Sequence, residues 1–424
     1  MSEPVTLAIV GAGKRGAAYA QYAIEHPDLA RVVAVAEPRL PQRQQMAAAH
    51  HIAPGNIFTS WQELAAQPRL ADAVLICTQD RMHLAPVEAL APKGYAILLE
   101  KPMAATLEDC RKIIACVKHH GNLFAVCHVL LYTQFTRKLK SLLDSGLIGD
   151  IASIQHLEPV AWWHQAHSYV RGNWRNEREA TFMLMAKSCH DIDWLRHIIG
   201  RPCRRVASFG SLRHFRAAEK PAGAADRCLD CGVEATCPYS AKRFYLTQFG
   251  RDRANKYFVS IITDDHTPAG VEKALREGPY GRCVYSCDND VVDHQVVILD
   301  FDGPATASFT MTAFTPVLNR QTRLFGTRGY IETDSVQIKH FDFVSEQTTV
   351  YDTSTEEGDA TAASGHGGGD YYLMKAFVEA VKSGDQSKII SGPDATFESH
   401  QIVFAAEQAR RSGSALAMSD FQRP

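Results

Sequence analysis

The sequence contains neither a long apolar run nor a strong net charge. No hydrophobic stretch approaches the ~18–20 residues of a transmembrane helix. The first apolar strand is predicted from about Val5, which leaves no room for a signal peptide before it. The formal net charge is only −2, so no basic field favours nucleic acid. We therefore expect a cytoplasmic protein with no membrane segment and no nucleic-acid partner.

A disulfide framework is also not expected. The 11 cysteines are an odd number, and many of them stand in apolar surroundings. Without an export signal they are interpreted as reduced thiols. The hydrophobic content of 46% and the charged content of 22% are ordinary for a globular protein. A chain of 424 residues is too long for one simple core, so we expect two domains.

A glycine turn near the start of the chain predicts a dinucleotide site. The apolar run Val5–Val10 is followed by GAGKRG and then by good helix formers, which is the order strand, glycine turn, helix. Gly11 permits the tight turn, Gly13 lets the backbone approach a pyrophosphate, and Gly16 lets the helix pack on the strand. The helix N-terminus then offers N–H groups to the phosphates. The turn also contains two further candidate cofactor contacts, Lys14 and Arg15.

The end of the second predicted strand indicates which dinucleotide binds. The run 31–36 ends in Glu37, and a carboxylate there can accept hydrogen bonds from both ribose hydroxyls of NAD. The same charge repels the 2′-phosphate of NADP. Arg39, two residues after Glu37, leaves binding of NADP as a less favoured alternative. A third interpretation is a glycine turn that binds nothing.

Strands alternate with helices up to about residue 130, which predicts a doubly wound parallel sheet of the Rossmann type. Ligands of such sheets bind at the carboxyl ends of the strands. The polar residues at those ends are further candidate cofactor contacts, namely Thr78, His83, Glu100, Lys101 and His128.

After Tyr132 the alternation of strands and helices gives way to longer predicted strands that are linked as hairpins. We expect residues 1–130 to form the dinucleotide-binding domain. Residues 131–424 are expected to form an α/β domain with a large, mostly antiparallel open sheet for substrate binding and oligomerisation, with a Cys-rich insertion at about 213–287. One face of that sheet lacks enough helices to cover it, so a homodimer or homotetramer is expected.

Lys101 is the first candidate for catalysis. An ammonium group at the end of a strand beside the nicotinamide can bond a substrate hydroxyl and stabilise the alkoxide that develops as hydride leaves. The alternative is an ordinary surface lysine.

The stretch 181–200 has the apolar spacing of a buried helix. Lys187, His190 and Asp193 follow each other at intervals of three and would share one face. His190 suits a general base, with Asp193 or Asp191 orienting its ring. The alternative is a cluster of charges on a helix surface.

The segment 162–175 interleaves aromatic and polar side chains, which suits a carbohydrate with its stacking face and its hydroxyls. It supplies His167, Arg171 and Trp174 as candidate substrate contacts, in addition to Lys101 and His190. His366, in the loop that ends GHGGGD, is a further candidate that could close over the same pocket. The alternative is a structural loop with buried tryptophans.

The insertion contains a cysteine pattern of its own. Three thiols within ten residues and a fourth later match tetrahedral thiolate coordination of zinc. The candidate ligands are Cys228, Cys231, Cys237 and Cys283, with Cys287 as the alternative fourth ligand. Metal-free thiols and an iron–sulfur cluster are the other interpretations, although the spacing does not fit ferredoxins.

These motifs together resemble the Gfo/Idh/MocA oxidoreductases. The resemblance rests on the glycine turn, the element from Thr78 to His83, the tripeptide Glu100-Lys101-Pro102 and the helix with His190-Asp-Ile-Asp, and it covers essentially the whole chain. It implies a nicotinamide-binding Rossmann domain and substrates among sugars, inositols and polyols. It also implies catalytic roles for Lys101 and His190. The family pattern has an aspartate four residues before the histidine, where this chain has Ala186.

We therefore predict an NAD-dependent oxidoreductase that transfers hydride between nicotinamide and a secondary hydroxyl or ketone of a sugar, inositol or related polyol. One alternative is a glycosidase that uses bound NAD for transient oxidation followed by elimination. The other alternative is a non-enzymatic dinucleotide sensor.

Overall fold

The computed structural model describes residues 3–247, 255–354 and 365–421. Within these residues the strands form one sheet of six and one of nine. The strands in chain order are β1 Val5–Val10, β2 Ala30–Ala36, β3 Ile57–Phe58, β4 Ala73–Ile76, β5 Ala96–Leu99, β6 Phe124–Val126, β7 Ile151–Pro159, β8 Cys203–Ser211, β9 His294–Phe301, β10 Thr306–Thr312, β11 Gln321–Gly326, β12 Gly329–Thr333, β13 Gln337–Asp342, β14 Thr348–Asp352 and β15 Leu416–Ala417.

Helices connect and cover the two sheets. The α-helices are Lys14–Glu25, Leu40–Ala49, Trp61–Ala66, Leu84–Leu90, Leu107–His120, Gln134–Asp144, Trp162–His164, Met183–Ala186, Cys189–Ile199, Asn255–Ile262, Pro268–Glu277, Gly369–Ser383 and Pro393–Ser412. The segment Gln165–Arg171 is π-helical. No helix among the described residues is both long enough and apolar enough to cross a membrane.

The first sheet is parallel throughout, with the strand order β3-β2-β1-β4-β5-β6. Strands β4 and β5 are buried along their whole length, as expected when helices cover both faces. The order reverses between β1 and β4, which creates the crevice where doubly wound sheets bind their ligands. The predicted Rossmann sheet is thereby confirmed.

The second sheet has the order β14-β13-β12-β11-β7-β10-β9-β8-β15. Its neighbouring strands are antiparallel except for β7 and β10, which run parallel. Burial alternates along β9, β10 and β11, so one face packs on the core. The large, mostly antiparallel sheet is confirmed. Strands β14 and β15 were not predicted, because β14 is polar and partly exposed and β15 has two residues.

The other face of this sheet carries apolar side chains that remain exposed. They are Phe209, Val296, Ile298, Phe325 and Val350. Phe209 is 63% exposed and lies directly opposite Val296 in the register of β8 and β9. An exposed apolar patch of this kind is typical of an association surface. It supports the expected oligomer, which stays a prediction.

The last helices return to the first sheet. The backbone N–H of Val126, in β6, donates to the carbonyl oxygen of Ser391 at 3.0 Å. The amide of Gln386 exchanges two hydrogen bonds of 2.9 Å with the backbone of Phe124. One cluster of buried apolar residues runs from β1 to the helix Pro393–Ser412. The two sheets are therefore held by a shared core.

Candidate active site

The glycine turn has the close packing that a dinucleotide site requires. Gly11 has a φ of +91°, and a Cβ atom there would lie 2.6 Å from the carbonyl oxygen of Cys77. A Cβ atom at Gly16 would lie 2.1 Å from the carbonyl oxygen of Gly11. Only glycine fits at both positions. At Gly13 the nearest atom, Nη2 of Arg39, would be 3.3 Å away, so the backbone remains open to a phosphate.

Glu37 lies at the carboxyl end of β2 with 2% of its surface exposed. Its carboxylate accepts the backbone N–H of Ala12 at 2.8 Å and the Nε–H of Arg39 at 2.7 Å. Burial raises the pKa of Glu37, but the hydrogen bonds from Arg39 and Ala12 outweigh it and the pKa is lowered. An ionised carboxylate therefore faces the turn, as a ribose-binding residue requires.

Lys14 and Arg15 are both engaged with the second part of the chain. The ammonium group of Lys14 donates to the hydroxyl of Ser260 in the helix Asn255–Ile262. The guanidinium of Arg15 binds Glu100 at 2.6 Å and Asp370 at 2.5 Å. These contacts tie the glycine turn to the C-terminal part of the chain, and the predicted contacts of both residues with the cofactor stay predictions.

The ends of β4 and β5 are joined through His83. Its ring lies between two carbonyl oxygens, with Nδ1 at 2.9 Å from that of Pro102 and Nε2 at 3.2 Å from that of Thr78. Glu100 accepts the backbone N–H of Lys101 at 2.5 Å. Burial raises the pKa of Glu100, but the charges of Arg15 and Lys101 outweigh it and the pKa is lowered. These contacts fix the backbone on both sides of the lysine.

Lys101 reaches across to the second part of the chain, where its Nζ donates to the carbonyl oxygen of Ala186 at 2.8 Å. The prediction of one helix over residues 181–200 was wrong. The structure has Met183–Ala186 and Cys189–Ile199, separated by a break. In an unbroken helix the carbonyl of Ala186 accepts the N–H of residue 190. At the break it is accessible to the ammonium group of Lys101.

Lys187 and Asp191 belong to a charged network behind the break. Lys187 binds Glu158 at 2.9 Å, and Arg320 binds both Glu158 at 2.9 Å and Asp191 at 2.5 Å. His156 lies 3.0 Å from Asp191. Burial raises the pKa of Asp191, but the charge of Arg320 outweighs it and the pKa is lowered. Asp191 thus binds Arg320 and His156. Asp193 is the carboxyl group that lies next to His128.

Three buried imidazoles and one carboxyl group meet near Lys101. The ring centroid of His128 lies 5.5 Å from those of His190 and His400. Nδ1 of His128 is 3.6 Å from the carboxylate of Asp193. Burial lowers the pKa of His128 and of His400 to about 3, and burial raises the pKa of Asp193. His190 therefore lies beside the ring of His128, which is uncharged at neutral pH.

Asp80 is a site residue that the sequence reasoning missed. Its carboxylate accepts the indole N–H of Trp174 at 3.2 Å, so Trp174 lies at the end of β4. Burial raises the pKa of Asp80, against the charges of His83 and Lys101. The rule that identified Thr78 also applies to Asp80, two residues further along. No comparable signal identifies His400, which comes from the last long helix.

Comparison with known families decides the identity of this arrangement. The model of the oxidoreductase family GFO_IDH_MocA, NAD-binding Rossmann fold, matches residues 5–128. The model of the same family's C-terminal alpha/beta domain matches residues 140–418. This chain belongs to the Gfo/Idh/MocA oxidoreductase family. The resemblance inferred from the motifs is thereby confirmed, and with it the NAD-binding fold.

The relatives of this oxidoreductase include named sugar and polyol enzymes. A putative oxidoreductase YteT of Bacillus subtilis is 24% identical over 322 residues, which are 72% of this chain and 71% of YteT. An inositol 2-dehydrogenase of Burkholderia multivorans is 29% identical over 196 residues, 46% of this chain and 54% of that one. A solved levoglucosan dehydrogenase in complex with NADH and levoglucosan has a TM-score of 0.71 at 16% identity, covering 98% of this chain and all of its own. That structural likeness shows the shared fold.

Two of the predicted substrate contacts face the insertion of the oxidoreductase. The His167 ring stacks on Tyr280 with centroids 4.9 Å apart. Nε of Arg171 donates to the carbonyl oxygen of Arg282 at 2.7 Å, and Nη2 lies 3.4 Å from the sulfur of Cys228. Through these contacts both side chains have a structural role in packing against the insertion. The side chain of His366 falls outside the described residues.

The four predicted metal ligands are all among the residues that line one cavity in the insertion. The four cysteines line one cavity of about 350 Å³, and all of the cysteines are free of disulfide bonds. Over the described ranges, no group of three or more His, Cys, Asp or Glu side chains is arranged to hold a metal ion. The four thiols therefore surround a space and do not converge on one point.

Proposed function

We propose that this oxidoreductase transfers hydride between NAD and a secondary hydroxyl or ketone of a sugar, inositol or related polyol. The observation that supports the proposal most is the contact of Lys101 with the carbonyl oxygen of Ala186. It brings the ammonium group at the end of β5 to the helix pair that carries His190. A polar acid–base pair then lies at the carboxyl edge of a sheet that belongs to an NAD-binding fold.

The residues present fit a dinucleotide, because the turn excludes side chains at Gly11 and Gly16 and an ionised Glu37 closes it. When bound, the nicotinamide ring supplies the hydride acceptor and donor. Lys101 donates a hydrogen bond to the reacting oxygen and stabilises the negative charge that develops on it. His190 accepts the hydroxyl proton during oxidation and returns it during reduction.

The neighbours of His190 support its part as the base. His128 stays neutral at the pH values at which proteins work, since burial lowers its pKa to about 3. A neutral neighbour adds no repulsion when His190 takes a proton. The carboxylate of Asp193 lies 3.6 Å from Nδ1 of His128 and helps to orient that ring.

Trp174 supports the choice of a polyol. Its indole is 39% exposed and is held by Asp80 after β4, the strand that pairs with β5, at whose end Lys101 lies. An exposed aromatic ring can stack on the C–H face of a sugar while charged groups bond the hydroxyls. The inositol 2-dehydrogenase among the relatives favours the same class of substrate.

Four further parts of the proposal concern the cofactor preference, the zinc ion, the location and the oligomeric state. Glu37 favours NAD over NADP. The zinc ion that the cysteine spacing predicts has a structural part and takes no step in hydride transfer. A cytoplasmic location and a homodimer or homotetramer stay predictions from the sequence and from the exposed sheet face.

A thermal-shift screen of sugars and inositols in the presence of NAD tests the proposal. Ligands that bind the native state raise the melting temperature, so NAD and at least one polyol should raise it together by more than either alone. Stabilisation by NAD with no effect of any polyol would favour the sensor alternative. Cleavage of a glycoside without net formation of NADH would favour the glycosidase alternative.

A further inference from the structure

The Cys-rich insertion has little regular structure around its thiols. Cys228 and Cys231 lie in and just after the turn Cys228–Asp230, and Cys237 follows the turn Glu234–Thr236. Cys283 comes from a segment beyond two helices. A single antiparallel bridge pairs Arg227 with Arg282, which brings together the two segments that carry Cys228 and Cys283.

We propose that Cys228, Cys231, Cys237 and Cys283 bind one structural zinc ion that fastens the insertion to the substrate-binding segment. The four side chains line one cavity, although they come from three separate turns. Zinc would be held by four thiolates at about 2.3 Å in a closed tetrahedron. Four protons pass to solvent as the sulfurs bind Zn²⁺, so no oxidant or reductant is involved.

Two cationic side chains lie next to the cysteines. Nη2 of Arg171 lies 3.4 Å from the sulfur of Cys228. Lys220 interacts electrostatically with Cys231 and Cys283, and it also binds Asp226 at 2.6 Å. Four thiolates and one Zn²⁺ carry a net charge of −2. A guanidinium and an ammonium group next to the sulfurs would balance much of that charge.

The structure also distinguishes the two candidates for the fourth ligand. Cys283 lines the cavity, whereas Cys287 is not among the lining residues. The thiol of Cys287 donates to the carbonyl oxygen of Cys283 at 3.2 Å. Cys287 therefore supports the backbone of Cys283 from outside the cavity, and it offers a matched control.

The position of Arg171 connects this site with the active site. Arg171 ends the π-helical segment Gln165–Arg171 and is held by Cys228 and by the carbonyl oxygen of Arg282. Trp174 follows three residues later and bonds Asp80 at the end of β4. A metal at the cysteines would therefore fix the segment that presents Trp174. This consequence rests on the proposed function, whereas the metal site itself does not.

Elemental analysis of the full-length protein, purified without chelator, tests the site directly. The expected result is about one zinc per chain, retained in Cys287→Ser and lost in Cys231→Ser. Iron at that stoichiometry would overturn the zinc assignment, and no metal with all four thiols freely titrating would overturn the site. Zinc retained in full by Cys231→Ser would also contradict it.

A second measurement applies if Cys231→Ser does not fold. Native mass spectrometry of the wild type should then show the mass of one Zn²⁺ less the four displaced protons, and chelation should release about four reactive thiols per chain. Limited proteolysis reports the structural consequence. Chelated protein should be cut faster within residues 213–287, while NAD still raises its melting temperature. Cleavage that is unchanged by zinc removal would show that the metal does not order the insertion.

Discussion

The Nζ atom of Lys101 donates a hydrogen bond of 2.8 Å to the backbone carbonyl oxygen of Ala186. This contact joins the end of a parallel strand to a break between two helices of the other domain. The family pattern has an aspartate at the position of Ala186, so here a main-chain oxygen holds the lysine in place of a carboxylate. The hydrogen-bond acceptor that positions the ammonium group is consequently an uncharged main-chain oxygen.

Removal of either proposed catalytic group should lower turnover. Lys101→Ala and His190→Ala should each reduce kcat by on the order of 10²-fold or more, because one removes the stabilising cation and the other removes the base. NAD should still raise the melting temperature of both variants. Lys112→Ala and His119→Ala, on an exposed helix surface, are matched controls that should keep full activity. Full activity in either test variant would exclude that residue from the mechanism.

Cofactor preference should depend on Glu37. Glu37→Ala removes both the acceptor for the ribose hydroxyls and the repulsion of a 2′-phosphate, so the ratio of the Kd values of NADP and NAD should fall. Arg39→Ala removes the cation beside Glu37 and should raise that ratio. Titration of wild type and variants with both cofactors measures it. Tighter binding of NADP than of NAD by the wild type would contradict the assignment.

Local signals allowed much of the first domain to be predicted. The run Val5–Val10 and the glycines at 11 and 16 lie within one short stretch, so their pattern specifies strand, turn and helix without distant residues. The end-of-strand rule identified Lys101 for the same reason. The break after Ala186 could not be predicted, because the apolar spacing continues through it unchanged.

Contacts between distant parts of the chain could not be read from the sequence. His400 joins the cluster around His128 from the last long helix. His167 and Arg171 contact Tyr280 and Arg282 of the insertion from a π-helical segment, and their predicted contacts with a sugar stay predictions. The 3.6-residue period of an α-helix does not predict which side chains share a face in a π-helical segment. Arg320 and Glu158 meet Asp191 and Lys187 only because β7 and β11 pair in the second sheet.

Stability should fall on acidification because of the buried imidazoles. The pKa of His128 is about 3 in the folded protein and about 6.5 when unfolded. Between these values the unfolded state binds the additional proton, so the free energy of unfolding decreases as the pH falls below about 6.5, by at most about 1.4 kcal/mol per pH unit. The charged and titratable groups that face His128 from neighbouring elements are those of Lys101, Arg196, Glu100, Asp193, His190 and His400.

His128→Gln removes this titration. The slope of unfolding free energy against pH between about 6.5 and about 4 should therefore be smaller in the variant than in the wild type, whatever its absolute stability. Denaturant unfolding at several pH values provides the slope. His119→Gln, with its ring at the surface, should leave the slope unchanged. Equal slopes in His128→Gln and the wild type would show that His128 does not stay neutral in the fold.

The exposed face of the nine-stranded sheet should mediate association. Phe209 is 63% exposed among other apolar side chains of β9, β11 and β14. Phe209→Asp places a charge within this patch and should shift the protein from dimer or tetramer towards monomer, with little loss of folding stability. Light scattering at micromolar concentration measures the mass. A wild type that is monomeric under these conditions would contradict the predicted assembly.

The stoichiometry of NADH formation tests the central claim most directly. A polyol that raises the melting temperature together with NAD is incubated with the wild type, and NADH and oxidised product are both quantified. One NADH is expected for each ketone formed, with the rate reduced on the order of 10²-fold in Lys101→Ala and in His190→Ala. Product that accumulates with no net NADH, or NADH formation that is unchanged in both variants, would contradict it.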